Sequence, residues 1–150
     1  MPSASQTPEK ILAALNEQLA AVGEPPYDGP HDANRLRLAC LAAVQRAVDA
    51  GQRPLRGAAR TAVRLLLDRL AEIAPGHAVE VRVPPYAAVQ CVEGPRHTRG
   101  TPPNVVEMDA PTWLALATGR TTWAEEYAAG HISASGNRAD LSPYLPLDAA

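Results

Sequence analysis

Phenylalanine is absent from this 150-residue chain, and of its 14 basic residues all but Lys10 are arginine. Without phenylalanine, the aromatic share of any core rests on two tryptophans and four tyrosines, so each carries a large part of the apolar area. Alanine, leucine and valine supply the rest. With abundant alanine, the shortage of lysine is read as the mark of a high-GC genome rather than of function. Charge of one sign is also lacking: the formal net charge is -2, which gives no field to draw nucleic acid or an anionic membrane surface, and nucleic acid is not an expected partner. The two cysteines, Cys40 and Cys91, have no Cys-x-x-Cys spacing, and the four histidines are scattered. No metal motif and no cofactor is expected, and the thiols read as a reduced pair. No apolar run approaches the roughly 20 residues needed to cross a bilayer. Residues 1–6 have no basic region leading into an apolar stretch, so the expectation is a cytoplasmic protein without integral membrane association.

Helix punctuation is plentiful. Thr7 is a cap with Pro8 at the first helical position, and Ile11, Leu12, Leu15, Leu19 and Val22 form one stripe before Gly23. Three prolines and two glycines between Gly23 and Pro30 make a turn or short linker. Asp32 caps a second helix with Leu36, Cys40, Ala43, Ala47 and Val48 at helical spacing, ending at Gly51. From Arg56 to Ala74 an apolar set, Ala59, Val63, Leu66, Leu67, Leu70 and Ile73, faces away from Arg60, Arg64, Asp68 and Glu72. The acidic residues follow the arginines at helical spacing, as on a solvated, ion-paired face.

The period then changes from 3.6 to 2. Val79, Val81 and Val83 alternate with Glu80 and Arg82, Pro84 and Pro85 break the run, and Tyr86 to Val92 forms a second strand. The two are expected to pair antiparallel. Beyond the loop from Glu93 to Asn104, a third strand runs to Met108. Asp109 then caps a helix carrying Trp113, Leu114, Leu116 and Ala117 up to Gly119. Thr122 and Glu125 have capping-box spacing for a shorter helix in which Trp123 and Tyr127 share a face. After Gly130, Ile132 and Ala134 alternate with Ser133 and Ser135 as a fourth strand, and a last helical turn lies around Leu141.

Chemistry-bearing residues gather in one place. Arg96, His97 and Arg99 lie between Gly94 and Gly100 and are candidates for gripping a carboxylate or phosphate, against pairing with nearby carboxylates such as Glu93 or Glu107. Cys91 and His97 have the composition of a thiol and base, but Cys91 alternates with Val89 on one strand face, so burial is expected. Glu125 and Glu126 read as capping and helix-dipole residues, and Arg138 with Asp140 as a pair that fixes a turn. No Ser-His-Asp ordering or phosphate-cradling loop is present, and no catalytic residue is assigned.

The order Trp113-Leu114-x-Leu116-Ala117-x-Gly119, then Trp123, then Ala128-Ala129-Gly130-His131-Ile132-Ser133-Ala134-Ser135-Gly136 resembles the closing pattern of the sterol-carrier-like fold. Three further stretches are similar to the bacterial sterol carrier family: Val79-Glu80-Val81-Arg82-Val83-Pro84-Pro85-Tyr86, Gly94-Pro95-Arg96-His97-Thr98-Arg99-Gly100, and Asp140-Leu141-Ser142-Pro143-Tyr144-Leu145. The resemblance runs from Arg64 to Leu147. It implies an α+β protein, with a mixed sheet covered on one side by helices and an apolar cavity between the layers. On this reading residues 56–150 are the sterol-carrier-like domain and residues 1–55 an N-terminal helical extension of two helices. The candidates for lining the cavity are Val105, Met108, Trp113, Leu116, Trp123, Tyr127 and Ile132.

The function expected is non-catalytic binding of an apolar small molecule or lipid. Two alternatives stay open. One is an accessory or degenerate relative of mycothiol-dependent, maleylpyruvate-isomerase-type enzymes, whose C-terminal domain is similar. Here only His31 and Asp32 are available near the N-terminus as ligands, and a complete metal site is not expected. The other is an interaction scaffold, using the N-terminal helices to meet a second copy or a protein partner.

Overall fold

The structure, a computed structural model, describes residues 6–94 and 104–147. The chain packs as two compact units, Met1–Leu65 and Leu66–Ala150. The division falls inside a helix.

The first unit is built on α1 (Pro8–Ala21) and α2 (Ala33–Asp49), which pack against each other. Thr7 accepts from the Lys10 amide and Asp32 from the Arg35 amide, so both expected caps form. Ile11, Leu15 and Leu19 of α1 meet Leu36, Cys40 and Ala43 of α2 in one buried cluster. The stripe on α2 is centred on Leu36, Cys40, Ala43, Val44 and Ala47. Val48, placed on that stripe by spacing, lies at its rim and is 46% exposed. Polar groups are satisfied locally: the buried Gln18 accepts from the Leu55 amide at 2.7 Å, and the half-buried Asn16 accepts from the Tyr27 amide at 2.9 Å. These bonds fix the α1–α2 connection and the approach to α3 (Arg56–Ile73). Gly57 opens that helix next to Ala14, with only 3.1 Å between the Ala14 side chain and the position of a Cβ at 57.

The second unit begins with the latter part of α3, which buries Leu66, Leu67 and Leu70. Ile73, expected on the same stripe, is exposed at the helix end. Arg69 and Glu72 pair at 3.4 Å on the solvated side. Next come β1 (Val79–Val83), β2 (Ala87–Cys91), β3 (Val105–Met108), α4 (Ala110–Ala117), α5 (Trp123–Ala128), β4 (Ile132–Ser135) and a single 3-10 turn at Ser142–Tyr144.

The four strands form one mixed sheet in the order β2-β1-β3-β4. β1 pairs antiparallel with β2, opposing Val79 to Cys91 and Val83 to Ala87, as the alternation predicted. β3 runs parallel to β1, with Val106 beside Val81, and β4 returns antiparallel to β3, opposing Met108 to Ile132. Register fixes the faces, because successive side chains point to opposite sides. One face carries Val79, Val81, Val83, Cys91, Val106, Met108 and Ile132, all buried. The other carries Glu80, Arg82, Gln90, Glu107, Ser133 and Ser135, none buried. Along that polar face Arg82 pairs with Glu80, and His77 meets Gln90 at 2.8 Å.

The ends of the β2–β3 connection are tightly held. Val92 adopts a left-handed φ of 68°, its amide donates to Ala74 at 2.7 Å and its carbonyl accepts from Ala78 at 3.0 Å. That carbonyl passes so close to Gly76 that a Cβ there would sit 2.1 Å from it. At the other end Asn104 is buried, donating to the Ala78 carbonyl at 2.8 Å and accepting from the Arg138 amide at 2.9 Å. The tail closes on α4, where Leu147 donates to Ala117 and Leu141 is buried. Asp140 accepts from the Ser142 amide at 2.9 Å, an Asx turn that starts the last helical turn.

Candidate functional site

α4 is a core helix. Asp109 caps it by accepting from Thr112 at 2.9 Å, and Trp113, Leu114, Leu116 and Ala117 are buried, Trp113 completely. α5, only four residues past Gly119, is different: it has no buried residue. The Thr122 hydroxyl accepts from the Glu125 amide at 3.2 Å and donates to the Glu125 carboxylate at 3.1 Å. The expected box is thus half formed, since the acid returns to the cap's side chain and not to its backbone. Trp123 and Tyr127 stack with ring centroids 6.3 Å apart and 22° between planes. Trp123 is half-buried and Tyr127 is 54% exposed.

The seven apolar candidates therefore fall into three groups. Met108 and Ile132 are direct cross-strand partners on the core face, in the same unit as the buried Trp113 and Leu116. Trp123 and Tyr127 form the surface stack. Val105 pairs with Ser135 and lies on the opposite, polar face of the sheet, half-buried. Two adjacent valines open β3, and only the positions of Glu107 and Met108 decide which of them faces the core. Arg96, His97 and Arg99 lie outside the described residues.

Both thiols are free and buried, and desolvation pushes each up to about 11. A thiolate is then scarce at neutral pH, which takes Cys91 away from nucleophilic work. Cys40 lies 3.9 Å from the Ile11 carbonyl inside the α1–α2 cluster. Near the N-terminus Asp32 is spent on capping α2, and His31 stacks on Tyr27 with centroids 6.3 Å apart. Among the described residues no group of three or more His, Cys, Asp and Glu side chains is placed to hold a metal ion.

One polar cluster escaped the sequence reading. Glu126 accepts from the Thr121 hydroxyl at 2.9 Å through one carboxylate oxygen and from His131 Nδ1 at 2.8 Å through the other. The His131 amide also donates to the Glu126 carbonyl at 3.0 Å. The bond from His131, then that from Thr121, holds the Glu126 carboxyl below its ordinary value, although nearby Asp109 opposes the shift. The carboxylate thus links Thr121, ahead of α5, to His131, beyond it. A Glu-to-His spacing of five residues across a helix-ending glycine was the available signal.

A mixed four-stranded sheet with one buried face, and two short capped helices between its third and fourth strands, make the second unit a sterol-carrier-like α+β domain. The family model for the bacterial SCP ortholog matches residues 55–147, more than half of the chain, and the chain belongs to that family. No curated protein matches it. Among the described residues no helix is long and apolar enough to cross a membrane.

Proposed function

We propose that this protein is a non-catalytic carrier that holds an apolar, lipid-like molecule in its sterol-carrier-like domain. The observation that carries this reading is family membership over residues 55–147. Supporting it, that stretch holds both tryptophans, one in the core on α4 and one near the surface on α5. Binding would draw on desolvation of apolar surface and on shape rather than on charge. The buried, high-pKa thiols and the use of Asp109, Thr122 and Glu125 in capping support binding over chemistry. The proposed place of action is the cytoplasm, where the two free thiols would remain reduced.

The test is ligand-linked stability. A molecule that binds only the native state at about 100 times its Kd adds about 2.7 kcal/mol, which raises the midpoint of a 150-residue chain by about 5–10 °C. Oleate, a sterol and a polyprenyl alcohol are the probes, with thermal unfolding and tryptophan emission as readouts. Native mass spectrometry of gently purified protein is the companion measurement. No shift with any probe and no co-purified lipid mass would remove the carrier reading.

A further inference from the structure

We propose that the corner where α2 passes into α3 docks the protein on an anionic phospholipid bilayer, with Arg53, Arg56 and Arg60 meeting the headgroups and Val48 and Leu55 the apolar layer beneath. The net charge of -2 conceals an uneven division: residues 1–65 hold eight basic and six acidic residues, residues 66–150 six basic and ten acidic. Between residues 48 and 60 there are three arginines and a single acid, Asp49, which already has a partner. Salt at about 0.1 M screens a charge beyond about 10 Å. The charges that meet a surface therefore decide the encounter, and the chain total does not.

Folding does not account for these arginines. α3 opens with Arg56 and has no acidic residue in its first turn, although the helix dipole favours acids there and opposes cations. Arg60 stands four residues on, a like-charge spacing that destabilises a helix. Farther along α3 the pattern changes, and Arg69 pairs with Glu72. Elsewhere in the first unit Arg46 pairs with Glu24 at 2.8 Å. Arg53, Arg56 and Arg60 are exposed, and their side chains form no hydrogen bond or ion pair with another described residue.

The apolar side chains are an independent observation. Val48 is 46% exposed and Leu55 38%, two of the four large hydrophobics so exposed among the described residues. Both sit on a tightly held connection: the Gly51 and Gln52 amides donate to the Val48 and Ala47 carbonyls, and the Leu55 amide to the buried Gln18. A mount already ordered lowers the entropy cost of docking. Guanidinium groups take phosphate oxygens in pairs, and aliphatic side chains beside them enter the acyl boundary. A nucleic-acid backbone satisfies the arginines but gives Val48 and Leu55 no apolar layer to enter.

Docking is independent of the carrier reading; only its use, delivery of cargo at a membrane, rests on it. The test is flotation of the full-length protein with vesicles at about 0.1 M salt, using phosphatidylcholine alone and an equal mixture of phosphatidylcholine and phosphatidylglycerol. Binding to the mixed vesicles only is expected, falling as salt is raised. A basic residue near an anionic leaflet contributes about fivefold to partitioning, so Arg53→Gln, Arg56→Gln and Arg60→Gln should each weaken binding about fivefold and the triple variant about 100-fold. Arg138→Gln removes the same charge from an exposed position in the second unit and should leave binding unchanged. Val48→Gln should weaken vesicle binding about threefold. All of these side chains are exposed, so an unchanged thermal midpoint identifies folded protein. No binding to mixed vesicles, no loss in the triple variant, or an equal loss in Arg138→Gln overturns the proposal. Binding to single-stranded RNA as tight as to mixed vesicles overturns the bilayer as occupant. Vesicle binding by a protein that no oleate, sterol or polyprenyl alcohol stabilises leaves the docking standing and removes the carrier reading, and stabilisation without vesicle binding does the reverse.

Discussion

Removing the Asn104 side chain tests the architecture of the second unit more sharply than any core truncation, because the residue is polar, buried and not in a regular element. Asn104 is 6% exposed and spans three segments, donating to Ala78 ahead of β1, accepting from Arg138 beyond β4, and preceding β3. In Asn104→Ala the Ala78 carbonyl loses its donor, and with Ala78 only 1% exposed it gains no easy access to water. An acceptor left in that state costs about 1–3 kcal/mol, and the exchange of the Arg138 bond for a water bond adds about 0.5–1 kcal/mol. The sum is about 1.5–4 kcal/mol, or about 3–16 °C in a chain of this size. Both tryptophans lie in this unit, so urea unfolding followed by tryptophan emission reads the correct transition.

A second variant separates the two bonds. Asn104→Asp keeps an acceptor for the Arg138 amide but sets a carboxylate oxygen against the Ala78 carbonyl, so at neutral pH it should cost at least as much as alanine. The repulsion raises the folded-state pKa of the new carboxyl above its unfolded value. The penalty is then present above the folded value and relieved as pH falls through it, where a protonated acid can donate to Ala78. A cost below about 0.5 kcal/mol for Asn104→Ala, or an acidic variant that is no better at low pH than at neutral pH, would refute the assignment.

Three other outcomes follow from the geometry. Gly76→Ala places a Cβ 2.1 Å from the Val92 carbonyl and should cost about 2–4 kcal/mol in urea unfolding, whereas Gly130→Ala, with open space around it, should cost about 1–2 kcal/mol through its φ alone. With thiols raised from 9.0 to about 11, the thiolate fraction at neutral pH falls ~100-fold, so neither cysteine should react with a chromogenic disulfide reagent until urea unfolds the chain. Rapid labelling of native protein would contradict the burial. Glu126 has a depressed folded-state value, so its contribution is complete above the ordinary carboxylate range and is lost as pH falls through the lowered value. Stability should then fall in an acid step that Glu126→Gln lacks, read by thermal unfolding across the carboxylate range.

The local elements were legible because each is announced by residues that act within one turn. Thr7, Asp32, Asp109 and Thr122 all cap the helices they were expected to cap, and the Val79–Val83 alternation became a strand with alternating burial. The pairing of β3 parallel to β1 was not legible, since nothing in four residues of strand encodes its neighbour. Face assignment failed where parity was ambiguous, as at Val105 and Val106, and where a stripe reached its rim, as at Val48 and Ile73. Asn104 and Glu126 were missed as hubs because their partners, Ala78 with Arg138 and Thr121 with His131, meet them only after the chain has folded back.

The absence of phenylalanine gives the two tryptophans different weights. A core built from alanine, leucine and valine needs its one large aromatic fully enclosed, and Trp113 fills that role at 0% exposure. Trp123 has the same helical spacing rules and a better capping motif, yet it is only half-buried, on a helix with no fully buried residue. In a sequence so poor in aromatic area, a half-buried tryptophan stacked on an exposed tyrosine leaves apolar surface in contact with water. Apolar area left in water is free to contribute to binding. The stack on α5 is thus the part of the domain whose composition is least explained by folding. That is the physical reason to look for ligand-dependent behaviour there before looking for it in the core around Trp113.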